Sequence, residues 1–557
     1  MSACAEGGVE DRTLDEEPAF DLIVRHGTVL DGGGTGSVQA DVGVRGDRVA
    51  AVGDLSAARA PLELDATGLV VAPGFINMLS WATDSLMADG RSMSDILQGV
   101  TLEIFGEGMS MGPLNETMKK EAVARQGDVR YPITWTTLGE GLKALVARGI
   151  SPNVASFVGA TTCRIHEVGY EDRAPTAAEL ARMEDLVRVA MREGAFGVSS
   201  SLIYAPASYA DTDELVALAA AAGETGGIYI SHLRSEGDRL VEAVDELLAI
   251  AGRAGVPAEI YHLKAAGERN WHKLDAVIER VEAARSAGLR ISANMYTYTA
   301  GATGLEAAMP PWVQEGGHEA WVARLRDPAI RRRVAREMAG PGEGWENLYD
   351  MAGSPDRILL AGFKNPALKP LTGRSLASVA DARGMSPEET AMDLVIEDDS
   401  RVGTIYFLMS EANVRREITL PWMTFGSDAG SVAPEGVFLR ANPHPRAYGN
   451  VARLLGHYVR DEGLLSLDEA VHRLTGLAAD HLGLRERGRL LPGFLADLVV
   501  FDAARIETGA TYESPHHLAS GMVHVIVNGV PVVGDGVHTG ALPGRVVRGP
   551  GWTGWRH

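Results

Sequence analysis

Cysteine is almost missing: Cys4 and Cys163 are the only two in 557 residues. That excludes a disulfide framework and any Cys-rich metal module. Positive charge is scarce as well. Lys and Arg total 52 against 74 Asp and Glu, a formal net charge of −22. Nucleic-acid binders carry a basic excess or a basic stripe. Neither is visible, which argues against nucleic acid or an anionic membrane as the main partner. No run approaches the roughly 18 uncharged apolar residues that a bilayer span requires. The opening stretch, MSACAEGGVEDRTLDEEPAF, lacks both a basic start and an apolar core, so it does not read as a signal peptide, and a cytoplasmic location is expected.

What is present is ordinary for a globular chain, with 45% hydrophobic and 23% charged residues. At about 150 residues per domain the length allows three to four domains, or fewer if an α/β barrel runs long as one unit. Short β-like pieces with Gly or Asp at the turns occur near the start (DLIVRHGTVLDG, DVGVRGDRVAAVG, LELDATGLVVAPG) and again near the end (ADLVVFD, MVHVIVNGVPVVGDG). They predict a small discontinuous β-sandwich built from residues 20–72 and 482–549. Residues 1–19 read as a disordered acidic tail and 550–557 as a second tail.

The middle, 73–481, repeats a strand-then-helix rhythm. Candidate strands lie at 74–79, 101–106, 154–159, 196–201, 227–232, 258–263, 290–296 and 423–428. Helical text such as AAELARMEDLVRVAMREG falls between them, with Gly just past the end. The fold class predicted is α/β, a (β/α)8 barrel of the TIM type. A long insertion separates the seventh and eighth strands, and its pieces RILLAGF and TIYFLM leave the strand count open by one or two.

In such a barrel the active site forms at the C-terminal strand ends. The polar residues there are Glu107, His232, His262, Lys264, Tyr296, Tyr298 and Asp428. Two histidines with a carboxylate and a second acid suit a catalytic zinc site that keeps one position open. A lone strand-end histidine is commonly structural, but two in the parallel forms HLR and HLK are harder to dismiss. Asp428 in GSDAG could cap a turn, and Glu107 between two glycines could be a solvated loop residue. The remaining histidines, among them His444, read as surface or core residues.

At these positions the sequence resembles the amidohydrolase superfamily, and within it the D-aminoacylase (N-acyl-D-amino-acid deacylase) branch. The stretches that carry the resemblance are VVAPGFI, SSSLIYAPASYADTDEL, SHLRSEG, YHLKAAG, TFGSDAG, the long segment from HPRAYGNVARLL to LAADHLGL, and GFLADLVVFD. The resemblance implies metal-assisted hydrolysis of an amide. The departures are informative too. Where most of the superfamily has His-X-His after the first strand, this chain reads PGFINMLSWATDSL, with Leu79 and Trp81 at the two positions. The branch's metal-binding Cys falls at Gly108, beside Glu107, and the His of its third-strand GH motif is replaced by Ala160 after Gly159.

The expectation is therefore one Zn2+ on Glu107, His232 and His262, with Asp428 as general base and then acid. By family position, Lys264 and Arg446 would grip the carboxylate of a small anionic substrate, and Tyr296 would donate a hydrogen bond to it or to the carbonyl. The family serine falls at Ala302, so its contact is lost. Leu79 and Trp81 are expected to plug the second metal position with apolar bulk. The alternative is a shifted register in which Asn77, Ser80 or Asp84 reaches the metal. Two other functions stand beside amide hydrolysis of an N-acyl, D-configured amino acid. One is a cyclic-amide hydrolase, disfavoured because the fourth strand ends SSSLIYAP without a lysine. The other is a catalytically silent relative acting as a binding or assembly partner.

Overall fold

Valine-rich alternation at the two chain ends produces a single sheet in the computed structural model, which describes residues 19–554. The tail expected at 1–19 lies outside the described residues except for its last position, as do the last three residues of the C-terminal one. Strands β1 (Leu22–Leu30), β2 (Ser37–Arg45), β3 (Arg48–Gly53), β4 (Leu62–Asp65) and β5 (Val70–Pro73) come first. The chain then runs through β6 (Phe75–Asn77), β7 (Val100–Phe105), β8 (Asn153–Ser156), β9 (Val158–Gly159), β10 (Gly197–Ser201), β11 (Ile228–His232), β12 (Ala258–Ile260) and β13 (Ile291–Met295). An insertion carries β14 (Ala300–Gly304), β15 (Ile358–Gly362) and β16 (Gly403–Phe407) before β17 (Met423–Phe425). The C-terminal part adds β18 (Leu498–Phe501), β19 (Met522–Val527), β20 (Val530–Gly534) and β21 (Val537–His538).

Strands from both ends share one nine-stranded sheet in the order β21-β20-β19-β18-β5-β1-β2-β3, with β4 on β1. The join is the antiparallel pair β5–β18, where Val71 faces Val500. Hydrogen bonds from Val49 N to Phe494 O (2.9 Å) and from Ala496 N to Asp47 O (2.8 Å) bring the outer strand back to the segment leading into β18. Val24, Val42, Val44, Val71, Leu498 and Val500 share one buried apolar cluster there. Period-2 alternation at both ends feeds that cluster.

The eight expected parallel strands all form. They pair in the orders β6-β7-β8 and β9-β10-β11-β12-β13-β17, and only Phe157 separates β8 from β9. Met78 N donates to Phe425 O (3.1 Å) and Ser80 bridges Ala429 in parallel, so the pairing returns from the last strand to the first. Helices between them end as their sequences dictate. Helix Ala177–Arg192 opens on a Thr176–Glu179 capping box, and helix Leu240–Ala254 stops at left-handed Gly255. The strand-like pieces RILLAGF and TIYFLM become β15 and β16. They pair antiparallel with each other and β16 pairs with β14, outside the parallel set.

Leu79, Ile76, Ile104, Phe157, Ile230 and Tyr261 fill one side of the parallel set as an apolar cluster. The β12–β13 side is polar and satisfied. Buried Glu259 accepts from Asn294 Nδ2 (2.6 Å) and Ser292 Oγ (3.1 Å), and lies 2.8 Å from His481 Nε2.

Candidate metal centre

Glu107 owes its place to the glycines beside it. Gly106 (φ 107°) and Gly108 (φ 64°) both sit in the left-handed region, and a Cβ on Gly108 would stand 2.6 Å from Ser201 Cβ. This turn after β7 aims the carboxylate inward, where Glu107 is 4% exposed rather than a solvated loop residue. β11 ends on His232. β12 stops at Ile260, short of the expected 258–263, and His262 leaves it in a left-handed conformation (φ 33°) with its backbone N–H donated to Asn294 Oδ1 at 2.8 Å.

Three donor atoms converge. Glu107 Oε1 lies 2.9 Å from His232 Nδ1 and 3.1 Å from His262 Nε2. The two rings stand nearly perpendicular, with centroids 4.5 Å apart. Among the described residues this is the one His/Cys/Asp/Glu group compact enough to hold a metal, and all three members are buried. Two imidazole nitrogens and a carboxylate oxygen are ordinary zinc donors, so the donor set fits that ion.

Behind the donors sits Glu236, which the sequence reading passed over although it stands four residues after His232 in SHLRSEG. Its Oε1 is 2.6 Å from Lys264 Nζ and 3.0 Å from His262 Nδ1. Such a carboxylate behind a histidine fixes the ring that ligates on its other nitrogen. Burial opposes the charge on Glu236, yet Lys264 and the two histidines hold it well below the usual carboxylate range. Burial opposes Glu107 likewise, and His262 and His232 pull it well down. Burial and Lys264 press His262 towards neutrality, but Glu236 and Glu107 prevail and bring it up to about 9 in the metal-free chain.

Across the cavity, Asp428 follows β17 in a left-handed conformation (φ 49°), its N–H bound to Leu79 O at 2.8 Å. Its Oδ2 pairs with Arg446 Nη2 at 2.8 Å, and its Oδ1 accepts from Trp81 Nε1 at 3.1 Å. Burial raises Asp428 above its ordinary value, against the pull of Arg446. Arg446 is 2% exposed, lies 4.3 Å from the Tyr296 ring centroid, and keeps Nε and Nη1 without a partner among the described residues. Tyr296 is buried, with its hydroxyl 3.6 Å from Met409 Sδ. The seven residues given a role above, from Glu107 to Arg446, line one cavity of about 650 Å3 together with Trp81, Glu236, Ala302 and His444, whereas the strand-end candidate Tyr298 does not.

One expectation needs correction. Leu79 is fully buried apolar bulk, but Trp81 is not: it is 42% exposed and its indole N–H donates to Glu107 Oε2 (3.1 Å) as well as to Asp428. His444 is a buried core residue that also lines the cavity. It accepts from Arg446 N at 3.0 Å through Nδ1, and burial keeps it neutral. The shifted register does not occur. Asn77 bonds Ser427 at 2.8 Å, Ser80 bonds Glu103, and Asp84 bonds Tyr131.

Comparison with known proteins gives the chain's family. The model of the amidohydrolase family matches residues 146–533. The chain is 36% identical to a D-aminoacylase of Alcaligenes xylosoxydans xylosoxydans over 541 residues, covering 96% of this chain and 98% of that one. It superposes on a solved D-aminoacylase, studied for its binuclear metal centre and for one-metal activation and second-metal attenuation, with a TM-score of 0.79, 34% identity and coverage of 95% and 100%. It also superposes on the N-acyl-D-glutamate deacylase of Bordetella bronchiseptica, solved with zinc and a phosphonate mimic of the tetrahedral intermediate, with a TM-score of 0.78, 30% identity and coverage of 95% and 99%. The chain belongs to the amidohydrolase family.

Proposed function

We propose that this chain is a mononuclear zinc hydrolase that cleaves the amide of an N-acyl-D-amino acid. Its parallel strands are read as a (β/α)8 barrel over residues 73–481, beside a β-sandwich over 20–72 and 482–549. The observation that carries the function is the convergence of His232 Nδ1 and His262 Nε2 on Glu107 Oε1. The relatives' activities on N-acyl-D-amino acids supply the substrate class.

Glu107, His232 and His262 would hold the ion, with Glu236 fixing the His262 ring from behind. Zinc held there supplies Lewis-acid polarisation of a carbonyl and brings the acidity of water near neutrality. Asp428 takes the proton of the attacking water and delivers it to the departing amine nitrogen. Its raised basicity, a result of burial, suits that double task. Arg446 offers the substrate carboxylate its unpartnered Nε and Nη1, while Lys264 adds a point charge behind His262. Tyr296, packed under Arg446, holds the guanidinium plane, while its hydroxyl rests on Met409 Sδ. Three ionised carboxylates facing Lys264, Arg446 and a protonated His262 leave the metal-free site near neutral, and a divalent ion displacing the His262 proton would turn it positive. That suits a monoanionic substrate, which the acidic chain as a whole repels.

Metal content per chain, measured on protein purified without added zinc, is expected to be about one. N-acetyl-D-amino acids are expected to be hydrolysed and their L enantiomers spared. No bound metal, or no hydrolysis by the loaded protein, would refute the reading in favour of a silent relative.

A further inference from the structure

Two carboxylates of the cavity point at the same spot from opposite sides. Glu107 Oε2 and Asp428 Oδ1 each lie 3.1 Å from one atom, Trp81 Nε1. Bringing two anionic oxygens together at a partly buried place is costly unless a cation or a hydrogen-bond donor sits between them. Here the mediator is the single N–H of a neutral ring. Indole nitrogen is a donor only and has no lone pair to offer a metal.

The ring is held there by its own backbone. Trp81 N donates to Ala429 O at 2.9 Å, and Ser80 pairs with Ala429 in parallel register, so the indole and Asp428 hang from adjoining, mutually bonded segments. The remaining oxygens are also assigned. Glu107 Oε1 faces the two histidines, and Asp428 Oδ2 faces Arg446. The division leaves one oxygen of each carboxylate for the indole, which spans the gap between the metal donors and the base.

We propose that Trp81 takes the place of a second metal ion: its indole N–H holds Glu107 and Asp428 in register and makes the centre obligately mononuclear. The proposal rests on the zinc reading of the same site and adds to it a positioning residue. The chemical difference from a cation is large. A second divalent ion would draw electron density from Asp428 and occupy Oδ1, weakening it as a proton acceptor. A neutral donor orients the carboxylate without neutralising it. The site thereby keeps the order that a bridging ion imposes while retaining a stronger base.

Trp81→Phe keeps most of the ring bulk and removes the N–H; Trp81→His replaces the donor with a side chain that can ligate. Wild-type protein dialysed against rising zinc is expected to stop at one ion per chain. Trp81→Phe is expected to hold its first zinc and to lose about 10- to 100-fold in kcat with little change in KM, the loss of one hydrogen bond to charged groups. Trp81→His is expected to take up a second zinc, an outcome that misfolding cannot produce. Indole 15N–H spectra give a readout independent of turnover. The Trp81 signal, identified by its loss in Trp81→Phe, is expected to exchange slowly with solvent despite the ring's exposure. An unchanged kcat in Trp81→Phe or free exchange of the Trp81 N–H would each overturn the proposal while leaving the zinc reading intact, and two zinc ions in the wild type would overturn the proposal together with the one-ion count of that reading. A wild type without zinc would overturn both.

Discussion

The two sides of the cavity are made from the same material, residues just past the ends of parallel strands, and they do opposite things. After β7, β11 and β12 stand Glu107, His232 and His262, whose lone pairs meet within hydrogen-bonding distance. After β6 and β17 stand Leu79, which is buried in an apolar cluster, and Trp81 and Asp428, which present an N–H donor and a carboxylate already claimed by Arg446. A metal needs a concentration of unpaired lone pairs. The first side supplies it, and the second spends its one acceptor on protein donors. The contrast teaches that ligand count is set by which atoms remain unpaired once the strand ends are folded, not by how many polar residues approach.

The comparison breaks most completely at the donor side. His262→Ala is expected to lower metal content from about one per chain to near zero and to abolish hydrolysis, as read by metal analysis beside an amine-release assay. Asp428→Asn should do the reverse, keeping the metal while cutting kcat by roughly 10²- to 10⁴-fold, the usual share of a general acid–base group. Next comes Leu79→His. Leu79 is fully buried within an apolar cluster, so the single change is expected to bind no additional zinc and to cost about 2–5 kcal/mol of stability in denaturant titrations. A gain of metal from that substitution alone would show that the apolar side is only one lone pair short. Arg446→Lys is expected to raise KM roughly tenfold at constant zinc content, because a point charge cannot serve Asp428 and a substrate carboxylate in the planar geometry of a guanidinium.

The smallest effect lies outside the cavity. Glu417 is 1% exposed and neither carboxylate oxygen has a partner among the described residues, so burial raises it well above its ordinary value. An acid whose folded pKa is raised stabilises the fold least once the unfolded chain ionises. Stability should therefore fall as pH rises from about 4.5 towards the folded value, by up to about 1.4 kcal/mol per unit. Glu417→Gln is expected to be more stable than the wild type at pH 7, with the advantage vanishing near pH 4, measured by urea midpoints across pH.

The eight strand positions were legible because buried parallel strands write themselves as short apolar runs between helices with clear caps. The donor set was legible because strand ends in that rhythm converge. Glu236 was not, since it lies in a loop four residues past His232 and nothing in SHLRSEG says that Lys264 and His262 fold back onto it. Trp81 was read by its bulk, whereas its role depends on where one N–H points, a matter of backbone register to Ala429 that sequence spacing does not encode. His444 looked idle for the same reason: its contact with Arg446 is a backbone one. The insertion's β14–β16 sheet was glimpsed in two of its three strands, because AGATG carries none of the large apolar side chains that mark β15 and β16.

The sheet shared by the chain ends has a consequence in time. β5 finishes at Pro73 and its partner β18 begins at Leu498. At about 5–20 residues per second, the ribosome needs on the order of 20 to 85 seconds to deliver the second strand after the first. Throughout that interval the edge of β5 that will receive Val500 and Phe501 has no pairing partner along Val71 and Val70. This seam leaves a growing chain open to a chaperone, or to another copy of itself, until β18 has been made.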